Sequence, residues 1–212
     1  MKPFPIILSA PSGGGKTTIA RKVLSSRLDV GYSVSATTRK RRPDETHGVD
    51  YYFLPDEEFT RRREADEFAE CAQVHGFWYG TLRREVERVL AGKQHVMMDI
   101  DVQGARQFAK AFPDSLLIFV LPPSVEVLIA RLRARKTESE ESIERRLKSA
   151  LGEIEAVSEY HYVVVNDELE AATHRVSGII DAEMARTSRA HGVDEAVAAL
   201  LAELRQTISS NV

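Results

Sequence analysis

The chain has 212 residues, of which 43% are hydrophobic and 29% charged, and its formal net charge is −3. That length buries a substantial core without covalent staples, and the single cysteine, Cys71, excludes an intramolecular disulfide framework. No apolar run approaches the roughly 20 residues of a membrane span, the apolar start is too short for a secretory signal, and the slightly negative balance gives no global basic field for nucleic acid; a soluble, cytoplasmic protein with no membrane or nucleic-acid partner is the expectation.

Pro5 to Ser9 predicts a short buried strand, and Ile19, Val23, Leu24 and Leu28 recur at the spacing of a helix over 17–28. Residues 33–80 break the rhythm. They are rich in Thr, Arg, Tyr and Phe, with turn signals at Arg42-Pro43-Asp44 and His47-Gly48, and predict a small α+β insertion. A helix is predicted over 81–91 through Leu82, Val86, Val89 and Leu90, stopped by Gly92. Apolar strands are predicted at 95–100, 116–121 and 162–165, with helices near 104–111, 125–133, 143–157 and 169–184. Such alternation, with near-continuously apolar strands, argues for a parallel sheet covered by helices on both faces.

Residues 131–146 are crowded with charge: Arg131, Arg133, Arg135 and Lys136, then glutamates from Glu138 to Glu144, then Arg145 and Arg146. Thr137 with Glu140 fits a capping box that opens the next helix. A segment with so little to bury reads as a movable lid. Beyond residue 187, Val197, Leu200, Leu201 and Leu204 form one helical stripe, assigned to packing against the core or a second subunit.

Between the first strand and helix stands Leu8-Ser-Ala-Pro-Ser-Gly-Gly-Gly-Lys-Thr-Thr18. Consecutive glycines cost backbone entropy, so something needs that backbone bare. Strand before and helix after is the setting of a phosphate-binding loop, whose amides converge on phosphate oxygens only where side chains do not intervene. Lys16 would reach the β- and γ-phosphates, and the Thr17 hydroxyl would bind Mg²⁺. The pattern G-x-x-x-x-G-K-[ST] is kept except that Ala10 replaces the first glycine, a methyl that strains the loop if the position needs positive φ. The plain alternative is a glycine-rich turn.

Three clusters bear on the reaction. Arg39 and Arg42, with Tyr51 nearby, suit a bidentate grip on a phosphate; a solvated basic turn is the alternative. Glu70, ahead of Gly76-Phe-Trp-Tyr79-Gly-Thr81, suits a base that offers adjacent N1–H and N2–H₂ donors, which guanine does and adenine does not; a helix-surface glutamate is the alternative. Asp99 and Asp101 fall at the carboxyl end of an apolar strand, where open α/β sheets bind ligands, and are expected to share a face and to orient Mg²⁺ through water or the acceptor nucleotide. Capping of the following helix is the alternative for one of them.

Taken together, the motifs Ala10-Pro-Ser-Gly-x-Gly-Lys-Thr17, Ser33-Val-Ser-x-Thr-Thr-Arg39, Gly48-x-Asp-Tyr51, Phe68-Ala-Glu70, Tyr79-Gly-Thr81, Asp99-Ile-Asp101-x-Gln-Gly104, Pro122-Pro-Ser-x-Glu126, Arg135-x-Thr137, Arg146-Leu and Val165-Asn166-Asp resemble the guanylate kinases over about residues 4–186. The resemblance implies an α/β fold: a P-loop NTPase-type core with a five-stranded parallel sheet flanked by helices, a small α+β GMP-binding insertion and a short helical lid. It divides the chain into core (1–32, 83–126 and 157–186), insertion (33–82), lid (127–156) and a C-terminal helical extension (187–212). It implies ATP-dependent phosphorylation of GMP, with dGMP as a further acceptor, and Mg²⁺ as the cofactor carried with ATP. By position, Ala10, Pro11, Ser12, Gly13, Gly14, Gly15, Lys16, Thr17 and Thr18 would cradle ATP, with Asn166 near the adenine. Ser35, Arg39, Arg42, Tyr51 and Tyr79 would hold the GMP phosphate; Glu70, Thr81, Asp99 and Asp101 would lie in its guanine and ribose region. Lys16, Arg42, Arg135 and Arg146 would act on the transferring phosphoryl group. The chain departs from the family pattern at Ala10, at Thr81 in place of serine and at Lys136 in place of glycine. A non-catalytic binding module of the same fold, expected to lack an intact loop, and a related sugar-phosphate kinase, against which Glu70 and Asp99 argue, are the rival readings.

Overall fold

A computed structural model of the chain describes residues 2–74, 76–134, 140–190 and 192–210. In chain order the strands are Pro5–Ser9 (β1), Val30–Tyr32 (β2), Ala36–Thr37 (β3), Tyr52–Phe53 (β4), Phe68–Val74 (β5), Phe77–Leu82 (β6), His95–Asp99 (β7), Leu116–Leu121 (β8) and Tyr162–Val165 (β9). The helices are Lys16–Ser26 (α1), Asp56–Glu64 (α2), Arg83–Ala91 (α3), Val102–Ala111 (α4), Val125–Arg133 (α5), Glu140–Glu155 (α6), Leu169–Met184 (α7) and Val193–Ser210 (α8), with a 3₁₀ turn at Ala156–Glu159.

The larger sheet has the order β2-β7-β1-β8-β9, with every pairing parallel. Its central strand is buried along its whole length. Successive side chains on a strand point to opposite faces. Ile6 and Leu8 therefore join Ile19, Val23, Val176 and Ile180 of α1 and α7, while Ile7 joins Val86, Val89 and Phe108 of α3 and α4. Two covered faces are why these strands read as continuous apolar runs. The smaller sheet has the order β4-β3-β6-β5 and packs Ala36, Phe59, Phe68 and Leu82 into a core of its own. An Arg21–Asp50 ion pair of 2.7 Å ties the residues leading into β4 to α1.

Several expected boundaries move. Strand β2 is not legible in the sequence: it is three residues long, contains Gly31 and forms an edge that pairs only with β7. Thr81 and Leu82 fit the helical period but belong to β6, because they pair with Glu70 and Phe68 of β5; cross-strand pairing overrides local periodicity. Strand β7 ends at Asp99, and α4 opens two residues earlier than expected because Asp101 is its N-cap. Leu28 lies beyond the end of α1 and is exposed. The stripe on α8 does not pack on the core: Val197, Leu200, Leu201, Leu204 and Ile208 are all exposed. Thr137 of the expected capping box lies outside the described residues. No helix among the described residues is long and apolar enough to cross a membrane.

Candidate active site

Between β1 and α1 the backbone turns at Gly13 (φ +89°) and Gly15 (φ +94°), in the left-handed region that side chains disfavour. Ala10 is buried and has no positive φ, so its methyl causes no backbone strain. A Cβ on Gly14 would stand 2.8 Å from the Ala10 Cβ, so Gly14 supplies the room that Ala10 takes. The loop is braced from behind. Asn166, buried, donates from Nδ2 to the Gly14 carbonyl at 2.9 Å, and Arg131 of α5 donates to the Asn166 carbonyl at 3.0 Å. The side chain expected near an adenine thus also supports the loop backbone. Lys16 and Thr17 begin α1, whose positive end faces the loop's interior.

At the carboxyl end of β7, Asp99 sits between two hydroxyls. The Thr17 hydroxyl donates to its Oδ2, and the Tyr32 phenol donates to its Oδ1 at 2.6 Å. Burial, then the Asp99 charge, push the Tyr32 hydroxyl well above its ordinary range, so it stays a donor. Asp101 does not share this face. It lies past the strand and its Oδ1 accepts from the Gly104 amide at 2.9 Å, which makes it a helix cap. Thr17 and Asp99 offer hard oxygen ligands side by side. Among the described residues no cluster of three His, Cys, Asp or Glu could hold a metal by itself. This donor set fits Mg²⁺, which binds through one or two protein oxygens and takes its remaining ligands from phosphate and water.

A second pocket is built on the smaller sheet. Arg39 pairs with Glu45 through two hydrogen bonds of 2.6 and 3.0 Å, and its Nε donates to the Tyr79 hydroxyl at 3.2 Å. Its guanidinium also lies 5.5 Å over the Tyr51 ring, which meets the Tyr79 ring edge-on. Glu45 accepts from the Arg42 amide at 2.8 Å as well, and the Arg42 guanidinium, more than half exposed, lies 3.8 Å from the same carboxylate. Burial would raise the Glu45 carboxyl, but Arg39 and the Arg42 amide outweigh it and hold the group below its usual value. Ser35 is buried immediately before β3. Burial, then the Asp99 carboxylate, raise the Tyr51 hydroxyl, which sets this pocket within electrostatic reach of the loop.

On the same sheet, Glu70 of β5 is buried and accepts from the Thr81 hydroxyl at 2.7 Å. Its other oxygen points at α4, where a Cβ on Gly104 would come within 2.6 Å of it. Burial pushes its carboxyl up to about 7; the Thr81 hydrogen bond opposes this and Asp101 adds to it. Among the described residues no cation pairs with this carboxylate, a costly arrangement that makes Glu70 a candidate binding residue.

Over the loop lies the α5–α6 pair, joined by Leu128, Leu132, Ile143 and Ala150. Arg146 of α6 donates to the Ser12 hydroxyl at 2.8 Å. Arg135, Lys136 and Thr137 lie outside the described residues. Tyr32, Glu45, Arg131 and Glu153 touch the predicted site residues but are not among them. Glu45 carries only a weak signal, as the second of two adjacent acids, Asp44 and Glu45, that follow the basic run 39–42.

A glycine loop at the carboxyl end of a central parallel strand, with Lys and Thr opening the next helix, defines a P-loop nucleotide-binding protein. The guanylate kinase family model matches residues 2–183. Guanylate kinase of Chelativorans sp. (strain BNC1) is 46% identical over 199 residues, 93% of this chain and 91% of that protein. That of Geobacter sulfurreducens is 47% identical over 183 residues, 86% of this chain and 90% of that protein. A crystal structure of guanylate kinase from Anaplasma phagocytophilum aligns with a TM-score of 0.75 at 35% identity, covering 91% of this chain and 92% of that one. The chain belongs to the guanylate kinase family.

Proposed function

We propose that this chain performs the family's reaction, ATP-dependent phosphorylation of GMP, with the loop after β1 holding ATP and the pocket on the smaller sheet holding GMP. The observation that carries this assignment is Glu70: a buried acceptor on the smaller sheet, fixed by Thr81 of the strand that also carries Tyr79, whose hydroxyl accepts from Arg39 beside the Tyr51 ring. Guanine's N1–H and N2–H₂ donors complement a carboxylate, and adenine has no such pair. The Arg39 and Arg42 side chains and the two tyrosine hydroxyls offer donors to the nucleotide's phosphate.

Phosphoryl transfer needs positioning and charge neutralisation more than covalent help, so no side chain acts as nucleophile. An oxygen of the GMP phosphate attacks the γ-phosphorus of ATP in line. As that bond forms, the bond from the γ-phosphorus to the β,γ-bridging oxygen breaks, and its electron pair leaves with ADP. Lys16 and the loop amides hold the donor phosphates; Arg42 and Arg146, with Arg135, offset the charge that develops. The Thr17 hydroxyl and, through water, Asp99 would hold Mg²⁺, which when bound neutralises phosphate charge and orients the phosphoryl oxygens. The α5–α6 pair over the loop limits access of water, which would otherwise consume ATP.

A coupled assay of ADP release with GMP, AMP, CMP and UMP as acceptors tests the assignment, and turnover with GMP alone among them is the expected result. Lys16→Ala should abolish turnover, by at least about 100-fold, with the circular-dichroism spectrum unchanged. Retained turnover in that variant would remove the loop from the reaction.

A further inference from the structure

Ser12, at the outer lip of the phosphate loop, is held twice by one helix. Its backbone N–H donates to Glu153 Oε2 at 3.1 Å, and its hydroxyl accepts from Arg146 Nη1 at 2.8 Å. Arg146 and Glu153 are seven residues apart on α6, two turns along the same face. On the other side of the contact, Gly13 lies against Leu128 and Leu132 of α5, which a Cβ would meet at 3.2 and 3.1 Å. The loop's tip is thus clasped by polar groups of α6 and apolar groups of α5. Glu153 has no part in the transfer chemistry above.

We infer that Glu153 is a positioning residue for phosphoryl transfer: its hydrogen bond to the Ser12 amide docks α6 on the phosphate loop in the register that aims Arg146 at the transferring group. An arginine on a six-atom tether is useful only if its helix is fixed relative to the phosphates, because an offset of about 1 Å at the reacting centre costs on the order of 100-fold in rate. Leu128, Leu132, Ile143 and Ala150 hold α6 to α5, but apolar contact is non-directional and does not fix rotation or slide. Two directional bonds to one loop residue do. Burial, with a smaller push from Asp101, leaves the Glu153 carboxyl raised on balance, while the Ser12 amide, Lys16 and Arg146 pull it down.

This inference rests on the assignment of Arg146 to the transferring phosphoryl group, and the test separates the two. Kinetics of Glu153→Ala, Glu153→Gln, Arg146→Ala and the Glu153→Ala/Arg146→Ala double variant are measured with ATP and GMP varied independently. Glu153→Ala should lower kcat about tenfold, with both KM values within about threefold of the parent. Glu153→Gln, whose amide oxygen can accept from the Ser12 amide, should recover most of that loss. In the Arg146→Ala background, Glu153→Ala should cost nothing further, because a residue that acts through Arg146 has nothing left to aim. Full kcat in Glu153→Ala overturns the inference, as does a lower KM for ATP, which would make Glu153 a competitor of the phosphates. Independent, multiplicative losses in the double variant, or a Gln variant as poor as the Ala variant, overturn it too. Full kcat in Arg146→Ala overturns the assignment of Arg146 itself.

Discussion

Gly104→Ala should separate stability from recognition. The glycine lies in the first turn of α4, at the point where Glu70 approaches that helix. An added Cβ would stand 2.6 Å from Glu70 Oε2 and 3.1 Å from its carboxyl carbon, whereas ordinary contact begins at 3.4 Å. The carboxylate must therefore retreat by roughly 0.8 Å, a shift that steric contact makes unavoidable. Its other oxygen is tethered to Thr81 at 2.7 Å, so the movement is a rotation that spoils one of the two bonds to guanine. A hydrogen bond to a charged group contributes about 1.5–3 kcal/mol, which is on the order of 10- to 100-fold in kcat/KM for GMP. The helix gains up to about 1 kcal/mol from replacing glycine by alanine, which offsets the crowding, so the melting temperature should stay within about 4 °C of the parent. The assay is steady-state kinetics with GMP and AMP as acceptors, alongside a thermal melt. KM for ATP should be unchanged, and the preference for GMP over AMP should narrow. A variant that melts normally and keeps both KM for GMP and that preference would refute the claim that this glycine seats the guanine-reading carboxylate.

Two further predictions concern acids in the acceptor pocket. Glu70 must be ionised to accept from guanine, and its carboxyl is raised to about 7, so KM for GMP should rise as pH falls below that value, by about tenfold per unit, while KM for ATP stays level; Glu70→Gln should flatten the profile, and a flat profile in the parent would refute the role. The same shift has the opposite sign for folding: the raised value favours the neutral carboxyl in the folded chain, a contribution present below the ordinary 4.5 and lost as pH rises through about 7, readable in chemical melts across that window. Glu45→Ala should raise KM for GMP by roughly tenfold, because Arg39 and the Arg42 amide lose the acceptor that aligns them; a fall in KM would instead make Glu45 a competitor of the phosphate.

Much of this architecture is legible because parallel strands covered on both faces leave a continuous apolar signature. Strands β1, β8 and β9 begin and end where the sequence places them, and so do α5 and α7. What the sequence conceals is decided by neighbours in space. β2 carries too few apolar residues to announce itself, and it brings Tyr32 to Asp99. Thr81 and Leu82 have a helical period, yet their partners are residues of β5. Asp99 and Asp101 look equivalent in sequence, but one faces Thr17 and the other caps α4. The family resemblance places Asn166 near the adenine, but its bond to the Gly14 carbonyl, far away in the chain, is not legible in the sequence. Residue types near the site are local information; which of them meet is not.

The two pockets share a physical device. Each gathers cations, under the proposed assignment for a phosphate, and cations gathered without a counter-charge repel one another and lose their aim. In the acceptor pocket Glu45 holds Arg39 and the backbone of Arg42. At the donor loop Glu153 stands near Lys16 and Arg146 and bonds the Ser12 amide. A resident carboxylate of this kind lowers the cost of keeping guanidinium groups oriented before the ligand arrives, which is where electrostatic catalysis draws its advantage over water. The same carboxylate also opposes the incoming phosphate, so the arrangement is productive only where alignment outweighs repulsion. Glu45 favours alignment, since it binds Arg39 through two oxygens at 2.6 and 3.0 Å and holds the half-exposed Arg42 guanidinium only by a longer ion pair of 3.8 Å.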